Sequence, residues 1–445
     1  MLVPPAPRTP AKPGRLRFLL NGRRDLLRFF HDAYYEQPVI RDTVFGRRLL
    51  LVNDAAGIAR VLGEHADNYV KPVVTLRTIR PFTGDGVLLA EGDQWRRQRR
   101  GLAHAFTPAA MRGLMPAFHH AAERLGAQLD ETRALRSEMF EEVAFDAVLR
   151  ALFSDLDDTA RERLRSIAGG YLGNGRGPGR PGLLDLLAHE PDDFAWSERA
   201  RRRFQQRWFA EVDGVIERRG TAECPDLLGT LLATRDPQTG LPLDGWEVRS
   251  QAATFLAAGF ETTARLMFWT SLLLALDPAE QERVRAEVRD GADMPSGFDD
   301  LARWPRLRAV LQESLRLYPT FPVFVRRALA ADEVAGEAVR AGDQMFVAPW
   351  TVHRHRRFWE RPDAFDPDRF AGRPNAWAAQ AHFIPFSRGP RVCIGAVFAL
   401  SEASVVLASI LRRYRIGPPT RAVMPVALLS IQPNRPVRFP LTRVD

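Results

Sequence analysis

The sequence predicts a mainly α-helical protein with small β elements, and three observations carry that reading. The first is an apolar stretch from about Trp246 to Leu276. Some 30 residues at roughly 1.5 Å each make a helix of about 45 Å, enough to cross a whole domain. It is apolar on most faces, which implies burial. The second is the run of helical patterns that fills most of residues 110–220. The third is that β-type alternation is confined to short runs, within 39–52, 328–347 and 426–439, the last of which reads as a hairpin.

In chain order, residues 1–20 read as an irregular, Pro-rich lead-in, followed by an amphipathic stretch at about Asp25–Tyr35. Alternation within Val39–Val52 predicts a hairpin turning near Gly46, and a helix follows at Ala55–Gly63. Tyr69–Leu89 reads as a loose, partly apolar connection; so long a loop inside a compact domain is more often functional than filler. Asp93 is placed to cap the helix that opens at Gln94, where Trp95 and Arg99, four apart, share a face. Gly169–Gly182 has the most flexible composition in the chain and reads as a domain linker. A helix is expected at Leu307–Leu317, and another of small and apolar residues at Ala396–Leu411.

Composition narrows the class. The hydrophobic and charged fractions, 45% and 26%, are those of a globular protein. Two cysteines, Cys224 and Cys393, exclude a disulfide framework or an all-cysteine metal site, and a reducing cytoplasm is the natural setting. The net charge of +9 invites a nucleic-acid reading. Only Lys12 and Lys71 are lysines, however, and the basic charge is arginine scattered along the chain without interleaved aromatics. No nucleic-acid partner is therefore expected. No window reaches the ~20 apolar residues of a spanning helix, so no membrane partner is expected either.

Chemistry concentrates at Phe386-Ser387-Arg388-Gly389-Pro390-Arg391-Val392-Cys393-Ile394-Gly395. A lone cysteine is more often a small buried hydrophobe than a ligand. Here it stands between two glycines that permit close approaches, with a guanidinium fork two residues before it and an aromatic ring at the loop's start. A thiolate, a guanidinium and an aromatic ring on one loop fit iron, propionate and porphyrin. The stretch resembles the cysteine-ligand loop of the cytochromes P450, Phe-x-x-Gly-x-Arg-x-Cys-x-Gly, at every specified position. Ala258-Gly259-Phe260-Glu261-Thr262-Thr263 in the long helix likewise matches the family's Ala/Gly-Gly-x-Asp/Glu-Thr-Thr.

The resemblance covers nearly the whole chain and implies the cytochrome P450 fold, as one domain over 21–445. Haem b would lie between the long helix and the loop, with Cys393 as thiolate ligand and Phe386, Gly389, Arg391, Gly395 and Gly259 beside it. It implies that Trp95, Arg99 and Arg326 face the propionates, Arg326 more readily than Arg327, and that His353 bonds a propionate or backbone. Glu313 and Arg316, three apart on a helix, would be buried and linked to Arg369, holding the core. On the same resemblance Gly169–Gly182 would be a mobile lid, the alternative to a linker.

The resemblance further implies a monooxygenase that inserts one atom of O₂ into a small apolar substrate. Thr262, helped by Glu261, would pass protons. A peroxide-driven peroxygenase of the same fold and a non-catalytic haem sensor are the alternatives. Electrons would come from a separate ferredoxin and its reductase, and the protein would be a cytoplasmic monomer. Phe82, Val87, Leu88, Phe321, Val323, Phe324, Leu428 and Leu429, with small Ala253, Ala257 and Ala258 on the long helix, are the candidate pocket residues.

Overall fold

The structure is a computed structural model describing residues 2–7, 9, 25–44, 46–172, 177–220, 224–290, 293–427 and 429–444. Ten helices of eleven residues or more carry the described frame. They are α1 (Val73–Thr83), α2 (Gly92–Leu102), α3 (Pro108–Thr132), α4 (Ser137–Leu152), α5 (Asp158–Leu172), α6 (Arg199–Arg219), α7 (Gly245–Leu276), α8 (Pro278–Arg289), α9 (Pro305–Leu317) and α10 (Ala396–Arg413).

Helix α7 is the long helix expected from the sequence, 32 residues from end to end. A reciprocal cap starts it: Asp244 accepts the Glu247 N–H at 2.8 Å, and Glu247 accepts the Asp244 N–H at 3.2 Å. From Val248 to Ala275 it is buried almost throughout, packed on α4 along one side and on α10 along another. Helix α10 in turn lies on α3, so α3, α4, α7 and α10 make the core layer.

The strands are short. β1 (Val39–Val44) and β2 (Arg47–Val52) form the expected hairpin, turning at Gly46 with φ 75°. With β3 (Tyr69–Val70), β5 (Phe324–Ala328) and β8 (Gln344–Val347) they build a five-stranded sheet in the order β1-β2-β8-β5-β3. A second hydrophobic cluster, around Leu50, Val52, Ile58, Val61, Met345 and Val347, packs against this sheet. β4 (Ala134–Arg136), β9 (Tyr414–Ile416) and β12 (Arg438–Arg443) form a three-stranded sheet. Two hairpins complete the strands, β6 (Asp332–Val334) with β7 (Glu337–Val339), and β10 (Pro425–Ala427) with β11 (Ile431–Pro433).

Five expectations change. Asp25–Tyr35 is two short 3₁₀ turns, Leu26–Phe29 and Asp32–Tyr35, not one amphipathic helix. The connection Tyr69–Leu89 contains α1, a helix read as loop because Pro81 and six β-branched residues weaken its pattern. Helix α2 begins one residue before Asp93 and its N-cap is Glu91, so Asp93 sits in the first turn. Within 169–182, Gly169 and Gly170 continue α5 to Leu172; residues 173–176 lie outside the described residues. The terminal run 426–439 is not one hairpin, because β12 leaves β11 and pairs with β4 and β9.

The roof is tied down by charge. Arg77 on α1 reaches Asp185 at 2.9 Å and Glu198 at 2.6 Å, and Arg201 on α6 reaches the same two carboxylates at 2.7 and 2.8 Å. Arg201 also donates to the carbonyls of Pro178 and Arg180, at 2.7 and 3.0 Å. The described end of the glycine-rich segment is thereby anchored to α6.

Candidate active site

The cysteine loop is closed by its own backbone. The Cys393 N–H donates to the Phe386 carbonyl at 2.9 Å, and the Val392 N–H to Gly389 O at 3.1 Å. Ser387 and Gly389 adopt φ values of 64° and 69°. A Cβ on Gly389 would run into the Leu62 carbonyl and lie 2.7 Å from Gly63 Cα, so only glycine fits this approach. At Gly395 the opposite holds. A Cβ there would meet nothing nearer than the Cys393 sulfur at 4.0 Å. Phe386 packs edge-on against Trp377, centroids 5.3 Å apart.

Cys393 is open to a water-sized probe. It is nevertheless so deep that burial pushes its thiol pKa up, against the lowering pull of the Gly395 amide and the Arg99 charge. Accessible surface on a deeply set side chain marks an internal cleft. Helix α7 carries a second such opening: within its buried length, Ala257, Ala258, Gly259, Glu261 and Thr262 retain exposed surface.

Cations gather near the loop. Arg391 lies over the Trp95 ring, 4.1 Å from its centroid, donates to Ala90 O at 2.7 Å and pairs with Glu91. Lys71 reaches the same Glu91 at 3.1 Å. Burial lowers the pKa of Lys71 to about 7, with Arg391 adding to the effect and Glu91 opposing it. Burial likewise lowers Arg391 to about 10 and depresses Arg326, each opposed by Glu91. Arg99 is depressed by burial and acts on Cys393, and it has no ion pair among the described residues. Lys71, Arg326 and Arg391 thus share one carboxylate, with Arg99 unpaired beside them. Such a surplus of buried positive charge calls for an anion from outside the chain. An accessible deep thiol, open space beside Gly395 and this surplus fit a haem with two propionates.

Neighbouring residues on β5 point to opposite faces, and Arg326 is the one whose charge acts on both Lys71 and Arg391. His353 is elsewhere. It is fully buried, and its Nε2 accepts the Ile384 N–H at 2.9 Å, the backbone bond that is one of the two partners expected of it. Burial and the charges of Arg316 and Arg354 hold its pKa well below the usual range. Gly259 keeps exposed surface at the opening of α7, and a Cβ there would sit 2.8 Å from Val148 Cγ2, so its smallness also serves the packing of α7 on α4.

The acid and the alcohol of α7 have separate partners. Thr262 Oγ1 donates to Ala258 O at 2.6 Å. Glu261 accepts from Ser430 Oγ at 2.6 Å and lies 3.8 Å from Arg265, which pairs with Glu141 at 2.8 Å. On α9, Arg316 meets Glu313 at 2.7 Å with both side chains fully buried; Arg369 stands 3.6 Å from the same carboxylate.

The candidate pocket residues divide. Val87, Leu88, Ala257, Ala258, Phe321, Val323 and Leu429 are nearly buried to exposed, and Val87 N–H donates to Gln251 on α7 at 2.9 Å. Phe82 belongs instead to the roof's aromatic core, with Tyr171, Phe204 and Trp208 within 5.5 Å between centroids. Ala253 is wholly buried and so borders no opening; Phe324 is partly exposed and packs on the sheet cluster. Leu428 lies outside the described residues. Sequence reading missed Lys71 and Glu91, although Lys71 is one of two lysines in an arginine-rich chain. It also missed Ser430 and Arg265, the latter signalled by its i+4 spacing from Glu261.

A deep, accessible cysteine acted on by Arg99, beside a surplus of cations, fits the class of thiolate-ligated haem proteins. The cytochrome P450 family model matches residues 15–437, and the chain belongs to that family. It is 30% identical to human cytochrome P450 4F8 over 79% of this chain and 72% of that protein. It is 32% identical to the cyclooctat-9-en-7-ol 5-monooxygenase of Streptomyces melanosporofaciens over 76% of this chain and 74% of that one. The crystal structure of the cytochrome P450DA heme domain superposes with a TM-score of 0.83 at 25% identity, covering 100% of this chain and 99% of that one. The protein is a P450-type monooxygenase, a class that uses O₂, an electron-transfer partner and an organic substrate, with haem held by a cysteine thiolate. Among the described residues no helix is long and apolar enough to cross a membrane.

Proposed function

We propose that this chain binds haem b through Cys393 and inserts one atom of O₂ into a small apolar substrate, by hydroxylation or epoxidation. The observation that carries the reading is the cation surplus of Lys71, Arg99, Arg326 and Arg391 around an accessible, deeply set thiol. When bound, a thiolate haem supplies oxygen activation. Arg99, Arg326, Arg391 and Lys71 would hold the propionates, with Trp95 supporting Arg391. The Cys393 N–H, spent on Phe386 O, fixes the loop beside the sulfur. Thr262 Oγ1 would hold a proton at the open stretch of α7, and Glu261, once it leaves Ser430, would take up a proton from solvent and pass it to Thr262. Val87, Ala257, Ala258, Phe321, Val323 and Leu429 present the apolar wall that orients substrate and excludes water. Electrons reach the site from a ferredoxin and its reductase, and the protein works as a cytoplasmic monomer. The hydrogen-bonded acid and hydroxyl support a monooxygenase over a peroxide-driven enzyme or a sensor.

The reduced carbon-monoxide difference spectrum tests the ligand: a band at about 450 nm is expected, and about 420 nm alone in folded protein refutes it. Thr262→Ala is expected to consume NAD(P)H with less product; full coupling refutes the proton role.

A further inference from the structure

Helix α10 carries a carboxyl that nothing above uses. Glu402 is fully buried, and neither of its carboxyl oxygens has a hydrogen-bond partner among the described residues. An ionised carboxylate in such a place costs several kcal/mol even after relaxation. The one side chain that acts on it is the Thr263 hydroxyl on α7, and no charged side chain from the helices packed on α10 does. The Thr263 hydroxyl gives its own proton to Gly259 O at 3.0 Å. Its oxygen therefore has lone pairs to accept with and no proton left to donate. A carboxylic acid carries one O–H donor, a carboxylate none.

We propose that Glu402 is kept as the neutral acid and is a positioning residue. It donates its O–H to Thr263 Oγ1 and so ties the helix that follows Cys393 to the turn of α7 bearing Thr262. The chain of donation runs from Glu402 O–H to Thr263 Oγ1, and from Thr263 O–H to Gly259 O. It fixes the α7 backbone one residue from the hydroxyl that handles protons, and no group in it loses or gains a proton overall. The positioning role rests on the function proposed above; the neutrality of Glu402 does not.

Stability against pH tests the neutrality. Burial raises the folded-state pKa well above the usual carboxyl value. Below about pH 4 both folded and unfolded chains hold this proton, so it contributes no pH dependence. As pH rises past that value the unfolded chain releases it and the folded chain does not. Stability then falls by roughly tenfold in the unfolding constant per pH unit, until the folded pKa is reached. Glu402→Gln removes this term, so its unfolding midpoint is expected to gain on the wild type from pH 5 to pH 8. A difference that stays flat over that range overturns the proposal.

Product formed per NAD(P)H consumed tests the positioning. Glu402→Gln keeps an N–H donor and is expected to stay within about twofold of wild type, while Glu402→Leu and Thr263→Val fall together. Equal coupling in all three variants and the wild type overturns the positioning role. A wild type that makes no product but shows the pH slope refutes the proposed function and leaves the neutral acid standing.

Discussion

Two buried charge clusters flank the core, and they are built on opposite plans. Arg316 is closed. Its five N–H donors go to both oxygens of Glu313 and to the carbonyls of His353, Pro362 and Ala364, at 2.6–2.8 Å. Every donor of the guanidinium is met from within the chain. The cluster of Lys71, Arg99, Arg326 and Arg391 is open, with Glu91 as the shared carboxylate and Arg99 unpaired. A self-satisfied buried pair holds elements together; an unbalanced one awaits a ligand. The difference separates scaffold from site without reference to any motif.

Breaking the closed cluster is expected to cost most. Glu313→Ala leaves Arg316 buried without its carboxylate, a loss of about 3–5 kcal/mol by the usual cost of stripping a buried pair. Thermal unfolding should show it, and purified protein should lack haem. A variant with wild-type Tm and haem content would show that the carbonyls alone suffice.

The open cluster should respond differently. Arg326→Gln removes a charge that nothing in the chain requires, so the fold should persist while haem is held less tightly. A charge-assisted hydrogen bond contributes about 1.5–3 kcal/mol, which corresponds to roughly 10- to 100-fold faster haem transfer to apomyoglobin. Unchanged haem release, or collapse of the fold, would place Arg326 in the scaffold instead.

The smallest effect is expected at the rim. Arg96 pairs with Asp67 and Asp93 at 2.8 and 2.7 Å, all largely in solvent. Arg96→Ala should leave both Tm and haem release unresolved from wild type, because water and salt screen such pairs. A clear shift in either would extend the open cluster outward.

The legible parts of this molecule are those with a fixed local spacing. The loop before Cys393, the Ala258–Thr263 turn and the Glu313/Arg316 pair are each written within ten consecutive residues, and the long helix announces itself by length and apolarity. What local spacing cannot carry is the meeting of distant segments. Lys71, Glu91 and Arg391 converge across 300 residues, and Ser430 reaches Glu261 across 169. Gly259 and His353 are ambiguous for the same reason. A mid-helix glycine and a lone histidine have no local signature that distinguishes a cofactor neighbour from a packing contact. Phe82 was placed in the pocket on hydrophobicity, but an aromatic side chain lines a roof core as readily as a cavity.

Gly389 bears on how the chain tolerates insertions and deletions. The height of the cysteine loop is set by backbone resting on backbone, Gly389 against the Leu62 carbonyl and Gly63 Cα. No side chain of Arg60–Glu64 forms that seat; Val61 and Leu62 are buried in the sheet cluster and Arg60 pairs with Asp332, so the turn is held from its other side. Losing or gaining one residue in that π-helical turn moves the seat itself and displaces Cys393, some 330 positions further along. The sulfur's position is thus gauged by the length of a turn whose Val61 and Leu62 side chains are fixed by the sheet cluster and whose backbone alone meets the cysteine loop.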